Sequence, residues 1–239
     1  MNPVTFPEDG LLAQCQDRVA ATGPNPYYLS AYRAAERAYW SKIADWMRED
    51  AALAPPRRCL DVGCAYGTLL LYAQALADCE VYGLDFLDCY LSPALAADAG
   101  IRFAVGNIEL DPLPWPGPFD WIVFTEVLEH LNFQPLPTLL KLSSALSEDG
   151  RLYLSTPDAA QWGSTFKYYR RLADIPWPEE SLRPGIVDDH VWQYTEQELF
   201  GVIEAAGLRV IRRGFSPGVG ARHFNLVLGH GGTAGRAGG

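Results

Sequence analysis

From Arg57 onward, short runs of Val, Ile and Leu alternate with helical segments, and this alternation restricts the fold more than any other feature. The apolar runs are "RCLDVG", "EVYGLD" (80–85), "IRFAV" (101–105), "FDWIVFT" (119–125), "GRLYLST" (150–156), "LRVIRRGF" (208–215) and "HFNLVLG" (223–229). Between them lie helical patterns over 67–77, up to about 99, over 132–146 and over "YTEQELFGVIEAAG". Near-continuous apolar strands separated by helices predict an α/β fold, with a mainly parallel sheet covered on both faces. In the last helix Thr195 and Glu198 have the spacing of a capping box, and Gly207 suits the position just past the helix end.

Three segments stand outside the repeat. Residues 1–30 are rich in Pro, Gly and polar residues and are expected to be partly irregular. Residues 31–50 predict one helix, with Tyr32, Ala35, Tyr39, Ile43 and Trp46 recurring at threes and fours, before "APPRR" breaks the chain. Residues 157–194 have no clean period but carry Trp162, Phe166, Tyr168, Tyr169, Trp177, Trp192 and Tyr194. The expected organisation is an N-terminal helical extension or lid (1–50), a catalytic domain (51–230) with an aromatic insert (157–195), and a disordered tail (231–239).

Bulk properties narrow the partners. The chain has 239 residues, a net charge of -10 and a pI near 4.8, so nucleic acid is not expected as a partner. Lys167, Arg170 and Arg171 form a small basic group that reads as a solvated face. No run of about 20 apolar residues crosses a bilayer. No basic, apolar leader opens the sequence, and the five cysteines show no C-x-x-C pair. A cytoplasmic protein with reduced thiols and no metal site is expected. The assembly stays open, a homodimer among the options.

The first apolar run ends in "CLDVGCAYGT", Cys59–Thr68, where an acid and two glycines stand between strand and helix. Glycines there let the backbone approach a ligand, and the helix start offers free N–H groups. The dinucleotide pattern G-x-G-x-x-G falls on Gly63, Ala65 and Thr68 and matches once. The frame acid-x-G-x-G-x-G falls on Asp61, Gly63, Ala65 and Gly67 and matches three times. In that frame the chain resembles the class I S-adenosylmethionine-dependent methyltransferases. "YGLDF" with Asp85 and Phe86, "GNIE" with Asn107 and Ile108, "FTEVLEHL" with Glu126, Glu129 and His130, and "GRLYLSTP" follow in the family's order.

The resemblance covers about residues 57–230. It implies a Rossmann-like, seven-stranded, mostly parallel sheet with a C-terminal antiparallel strand. It implies S-adenosyl-L-methionine as cofactor, held by Asp61, Gly63, Cys64, Ala65, Gly67, Asp85, Phe86, Asn107, Ile108, Thr125 and Glu126. Within that set Asp85 takes the ribose hydroxyls, Phe86 and Ile108 pack on adenine, Asn107 caps its amino group, and Asp61 meets the ammonium through water.

A hydroxyl acceptor needs a base. His190, in "VDDHVWQY", is the candidate, with Asp188 and Asp189 placed to orient it or raise its pKa. A cation held by Asp188, Asp189 and His190 is a weaker alternative. His130 reads as structural, His223 as a residue that can face the pocket, and His230 as idle. Glu126 reads either as a ligand contact or as a strand-end cap, and Tyr32 and Tyr39 as packing. The expected reaction is methyl transfer to a small-molecule or glycan acceptor, at a hydroxyl oxygen. The rival readings are a non-catalytic cofactor-binding or scaffold protein, favoured by Ala65 where glycine is usual, and a nicotinamide-dependent oxidoreductase.

Overall fold

The apolar runs form seven strands: β1 (Arg58–Val62), β2 (Glu80–Asp85), β3 (Arg102–Val105), β4 (Phe119–Thr125), β5 (Leu146–Pro157), β6 (Leu208–Ser216) and β7 (His223–His230). They pair in one sheet in the order β3-β2-β1-β4-β5-β7-β6, in a computed structural model that describes residues 10–163, 167–179 and 186–231. The first five strands run parallel, and β7 lies antiparallel to both β5 and β6.

The pleat sends successive residues to opposite faces. Cys59, Trp121, Val123, Tyr153 and Val227 pack in one core, and Leu60, Val62, Ile122, Phe124, Leu152, Leu154, Leu226 and Leu228 in the other. Helices α1 (Gly10–Ala21), α2 (Arg33–Tyr39), α3 (Ser41–Leu53), α4 (Thr68–Ala77) and α5 (Pro93–Ala99) lie on the side of the first core. Helix α6 (Pro135–Ala145), followed by the short α7 (Ala159–Trp162) and then α8 (Glu196–Ala205), belongs to the opposite side, where Leu139, Leu142, Leu199 and Ile203 are buried. Both faces are thus covered, which is why the strands are apolar on both sides.

Five local expectations change. Residues 10–21 are not irregular: Leu12, Cys15, Gln16 and Val19 make the buried stripe of a helix. The single helix expected over 31–50 is a π-helical turn (Tyr28–Tyr32), α2 and α3, interrupted where Trp40 leaves helical geometry (φ -132, ψ 37) with its ring buried. Helix α6 starts at Pro135 rather than 132, and β5 begins at Leu146 rather than 150. Helix α5 starts late, at a Ser92 cap that accepts the Leu95 N–H (3.4 Å), so Phe86–Leu91 is a loop. The capping box at Thr195 and Glu198 is present. The expected tail from 232, Phe166 and parts of the insert (164–166 and 180–185) lie outside the described residues. The insert is closed at its base, where Asp158 bridges Tyr194 and the Ala159 N–H donates to the Tyr194 carbonyl (3.1 Å).

A buried carboxyl fastens the N-terminal extension to the sheet. Glu36 accepts the Thr68 hydroxyl (2.7 Å), at the first residue of α4, and the Gln16 amide (2.8 Å), on α1. Burial raises Glu36 from 4.5 to about 7. Its proton is held more tightly folded than unfolded, so the stability it adds is full below pH 4.5 and is lost as pH rises through 7. Urea unfolding of the wild type should show a loss on the order of 3 kcal/mol between pH 5 and 8 from this group. Glu36→Gln should remove about that share of the slope while buried Glu126 and Glu129 keep theirs, and an unchanged slope would assign it to those other groups.

Candidate functional site

The strand order reverses between β1 and β4, and the crevice beyond their carboxyl ends is where an open α/β sheet holds ligands. The turn leaving β1 is unusually constrained. Gly63 (φ 78), Ala65 (φ 43) and Gly67 (φ 80) are all left-handed. A side chain on Gly63 would stand 2.3 Å from Val127 Cγ2, and one on Gly67 would stand 2.8 Å from Leu91 Cδ1. Conformation favours glycine at both positions, and at Gly63 the stiff side chain of Val127 also denies the space. Ala65 carries its methyl in a conformation that costs an L-residue about 1–2 kcal/mol.

Asp85, at the end of β2, secures this turn. Its Oδ2 accepts the Ala65 N–H (2.8 Å) and its Oδ1 the Leu87 N–H (3.0 Å). Burial pushes its pKa up, and these backbone donors pull it back down. A first chamber of about 200 Å³ opens here. Of the expected cofactor residues, Gly63, Ala65, Asp85, Phe86, Asn107, Ile108 and Glu126 line it. Among the described residues no Lys or Arg lines it. Asn107 is engaged locally, its Oδ1 accepting the Glu109 N–H (2.8 Å).

Asp61, Cys64, Gly67 and Thr125 do not line the chamber. Asp61 is buried beneath the turn, its pKa raised by burial and by neighbouring Asp85 and Glu36. Cys64 packs in the core, its sulfur 2.9 Å from where a Cβ on Gly83 would stand. Thr125 is buried at the end of β4, opposite Ser155.

A second chamber of about 320 Å³ adjoins the first and shares Tyr32, Ala65, Tyr90, Glu126, His130 and Asp188 with it. Its other walls include Tyr27, Tyr39, Glu129, Trp162, His190 and His223. The His190 ring lies 4.8 Å from that of His130 and 5.8 Å from that of Trp162, and His223 lies 5.6 Å from Trp162 and 4.9 Å from Tyr39. Tyr32 and Tyr39 thus face ligand space as well as packing. Glu126 is left-handed (φ 55), held by its N–H to the Ser155 carbonyl (2.9 Å). Its Oε1 accepts the Ser155 hydroxyl (2.6 Å), and its Oε2 lies 2.8 Å from His223 Nδ1. Strain of this kind gathers at functional positions.

Burial sets the protonation of this cluster. It raises Glu126 to about 8 and Glu129 to about 7, the latter aided by Glu126, and lowers His223 to about 4. His190 is also lowered, by burial first, against the pull of Asp189. Asp188 and Asp189 do not orient the His190 ring as expected. Asp189 accepts Lys167, the Tyr168 hydroxyl (2.8 Å) and the His190 backbone N–H (2.8 Å). Asp188 Oδ1 stands 3.8 Å from His130 Nδ1. The ring of His190 has Gln193 beside its Nδ1 (3.3 Å). Sequence reasoning passed over Glu129 as a site residue; its signal was the spacing in "EVLEH", which carries it one helical turn past Glu126. His230 ends β7 with its Nε2 3.3 Å from the Leu146 carbonyl, away from both chambers.

A family model described as "Methyltransferase domain" matches residues 32–213. The chain is 30% identical over 117 residues to the ubiquinone biosynthesis O-methyltransferase of Bordetella parapertussis, covering 46% of this chain and 47% of that protein. It is 33% identical over 116 residues to the protein of the same name from Xanthomonas campestris, covering 47% of each. The match spans about half the length of these curated relatives. Among solved structures, 1,6-didemethyltoxoflavin-N1-methyltransferase of Burkholderia thailandensis, with bound S-adenosylhomocysteine, aligns with a TM-score of 0.61 at 18% identity, over 96% of this chain and 92% of that one. Magnesium protoporphyrin IX methyltransferase from Synechocystis aligns at 0.59 and 18% identity, over 92% and 95%.

The turn itself can be tested by stability. Ala65→Gly should stabilise by about 1 kcal/mol by relieving its left-handed methyl. Gly63→Ala should destabilise by about 2–3 kcal/mol through the clash with Val127. Denaturant unfolding of both variants reads the two signs; a destabilising Ala65→Gly would contradict the strain at that residue.

Proposed function

The chain belongs to the methyltransferase-domain family, and from that membership we propose that it moves a methyl group from S-adenosyl-L-methionine to a hydroxyl oxygen of a small-molecule or glycan acceptor. The observation that carries this reading is the meeting of two chambers at Ala65, Glu126 and His130. Direct transfer between two ligands needs adjoining sites that hold them in line, and orientation of that kind is worth about 7–11 kcal/mol. When bound, the cofactor supplies a methyl group already activated on a sulfonium. What remains for the protein is alignment and removal of the acceptor's proton.

The first chamber fits that cofactor. Gly63 brings backbone without a side chain to the lining, Asp85 offers a carboxylate for a diol, and Phe86 and Ile108 offer apolar surface. Among the described residues the lining holds no Lys or Arg, as suits a ligand without phosphates. Asp85 would hold the ribose, and Gly63, Ala65 and the helix start after Gly67 the cofactor's carboxylate. Asp61 would act through water on the ammonium, Asn107 at the base edge, and Cys64 and Thr125 from beneath as packing.

The second chamber would take the acceptor. The N-terminal extension walls it through Tyr27, Tyr32 and Tyr39, and the insert through Trp162 and His190. His190 would act on the acceptor's proton. Similarity to O-methyltransferases supports oxygen as the methylated atom. Among the described residues no helix is long and apolar enough to cross a membrane.

Calorimetry with S-adenosylhomocysteine should give micromolar binding, and NADH none. Asp85→Ala should weaken that binding at least 100-fold, since it removes a charged acceptor worth about 1.5–3 kcal/mol per hydrogen bond and frees the turn. His190→Ala should lower kcat on a hydroxyl acceptor while sparing S-adenosylhomocysteine affinity. Undiminished affinity in Asp85→Ala would remove the assignment of the first chamber. Full turnover in His190→Ala would remove the role of His190, and binding without turnover of any acceptor would favour a non-catalytic protein.

A further inference from the structure

Glu129, His130 and His190 each bring a ligand atom to one place: a carboxylate oxygen and one ring nitrogen from each histidine, all within 4.8 Å of one another. The first two lie in the 3-10 turn that follows β4, and the third in the returning limb of the insert. A second observation points the same way. Glu129 is 1% exposed. Its Oε2 accepts the Thr156 hydroxyl (2.9 Å), yet its Oε1 has no hydrogen-bond partner among the described residues. Neither has His130 Nδ1. Buried polar atoms without partners are rare, and a bound ion is one of the few things that satisfies them.

We propose that Glu129, His130 and His190 bind a divalent cation of the zinc class at the floor of the second chamber. Two imidazoles and one carboxylate are a borderline-soft set. It suits zinc or cobalt better than the oxygen-seeking magnesium or calcium. Three protein ligands leave a position for water or substrate, as in catalytic zinc sites. Gln193, beside Nδ1 of His190, leaves the other ring nitrogen for the cation and fixes the ring. Binding of the cation stands on these residues alone. Its task rests on the acceptor reading of this chamber: a cation here lowers the pKa of an acceptor hydroxyl beside it. The hydroxyl's proton then leaves to solvent past Asp188, on the exposed side. His190 thereby aids proton removal through the cation, rather than as a free base. The cation weighed from the sequence was placed on Asp188, Asp189 and His190; only His190 belongs to the set found here, and Glu129 and His130 replace the two aspartates.

The test is zinc titration of the chelator-treated full-length protein by calorimetry, with cobalt as a visible probe. The expected result is one zinc per chain at micromolar affinity or tighter, and cobalt absorption bands of a low-coordinate site. His130→Ala and His190→Ala should each weaken zinc binding at least tenfold and abolish the bands. Glu129 is buried, so Glu129→Gln is read beside its melting curve, and the half-buried His190 carries the comparison. S-adenosylhomocysteine is titrated in parallel. If the wild type binds zinc but not S-adenosylhomocysteine, the cation site stands and the donor reading falls. If the wild type takes up no zinc, or both histidine variants take it up unchanged, the proposal is overturned.

Discussion

The carboxylate of Asp85 ties two strand ends together, and the mouth of the site depends on it. By accepting the N–H groups of Ala65 and Leu87, it braces the turn after β1 against the loop after β2. Three residues of that turn have positive φ, one of them with a side chain. Such a turn stays in place because its surroundings over-determine it. Here the bracing group is itself the one suited to a ligand diol, so shape and chemistry at this point cannot be varied separately.

The second chamber depends on burial. Glu126 and Glu129 sit where a carboxylate is costly to keep charged, and His190 and His223 where an imidazolium is. One dry environment raises the two acids, to about 8 and about 7, and lowers the two bases, His223 to about 4. A cluster arranged in this way spends little folding stability on fixed charges, yet it keeps donors and acceptors in reserve.

The strands were readable because burial on both faces makes them continuous apolar runs, and Gly63 and Asp85 because close approach and a charged strand end demand special residues. What sequence could not supply was direction. Asp61 shares a face of β1 with Cys59, and the pleat carries it beneath the turn instead of into the crevice. Asp189 adjoins His190 in sequence, but its side chain turns to Lys167 and Tyr168, while the ring of His190 meets His130 from a different segment. Helix α1 was hidden by its Pro- and Gly-rich flanks, although Leu12, Cys15 and Val19 held the helical spacing. The break at Trp40 has neither Gly nor Pro to announce it; tertiary burial of the indole goes with it.

The clasp between Asp158 and Tyr194 has a consequence for how such chains diversify. The chain leaves the sheet at one of those residues and returns at the other, and the described residues between them add no strand to it. Trp162 and His190, which face the second chamber, lie inside that excursion; Asp85 and the turn at Gly63, which form the first, lie outside it. Rewriting the excursion would reshape the second chamber, and it would reach the first only at the rim formed by Ile186, Val187 and Asp188. One loop can therefore change the shape of one chamber while the sheet and the turn at Gly63 keep their places.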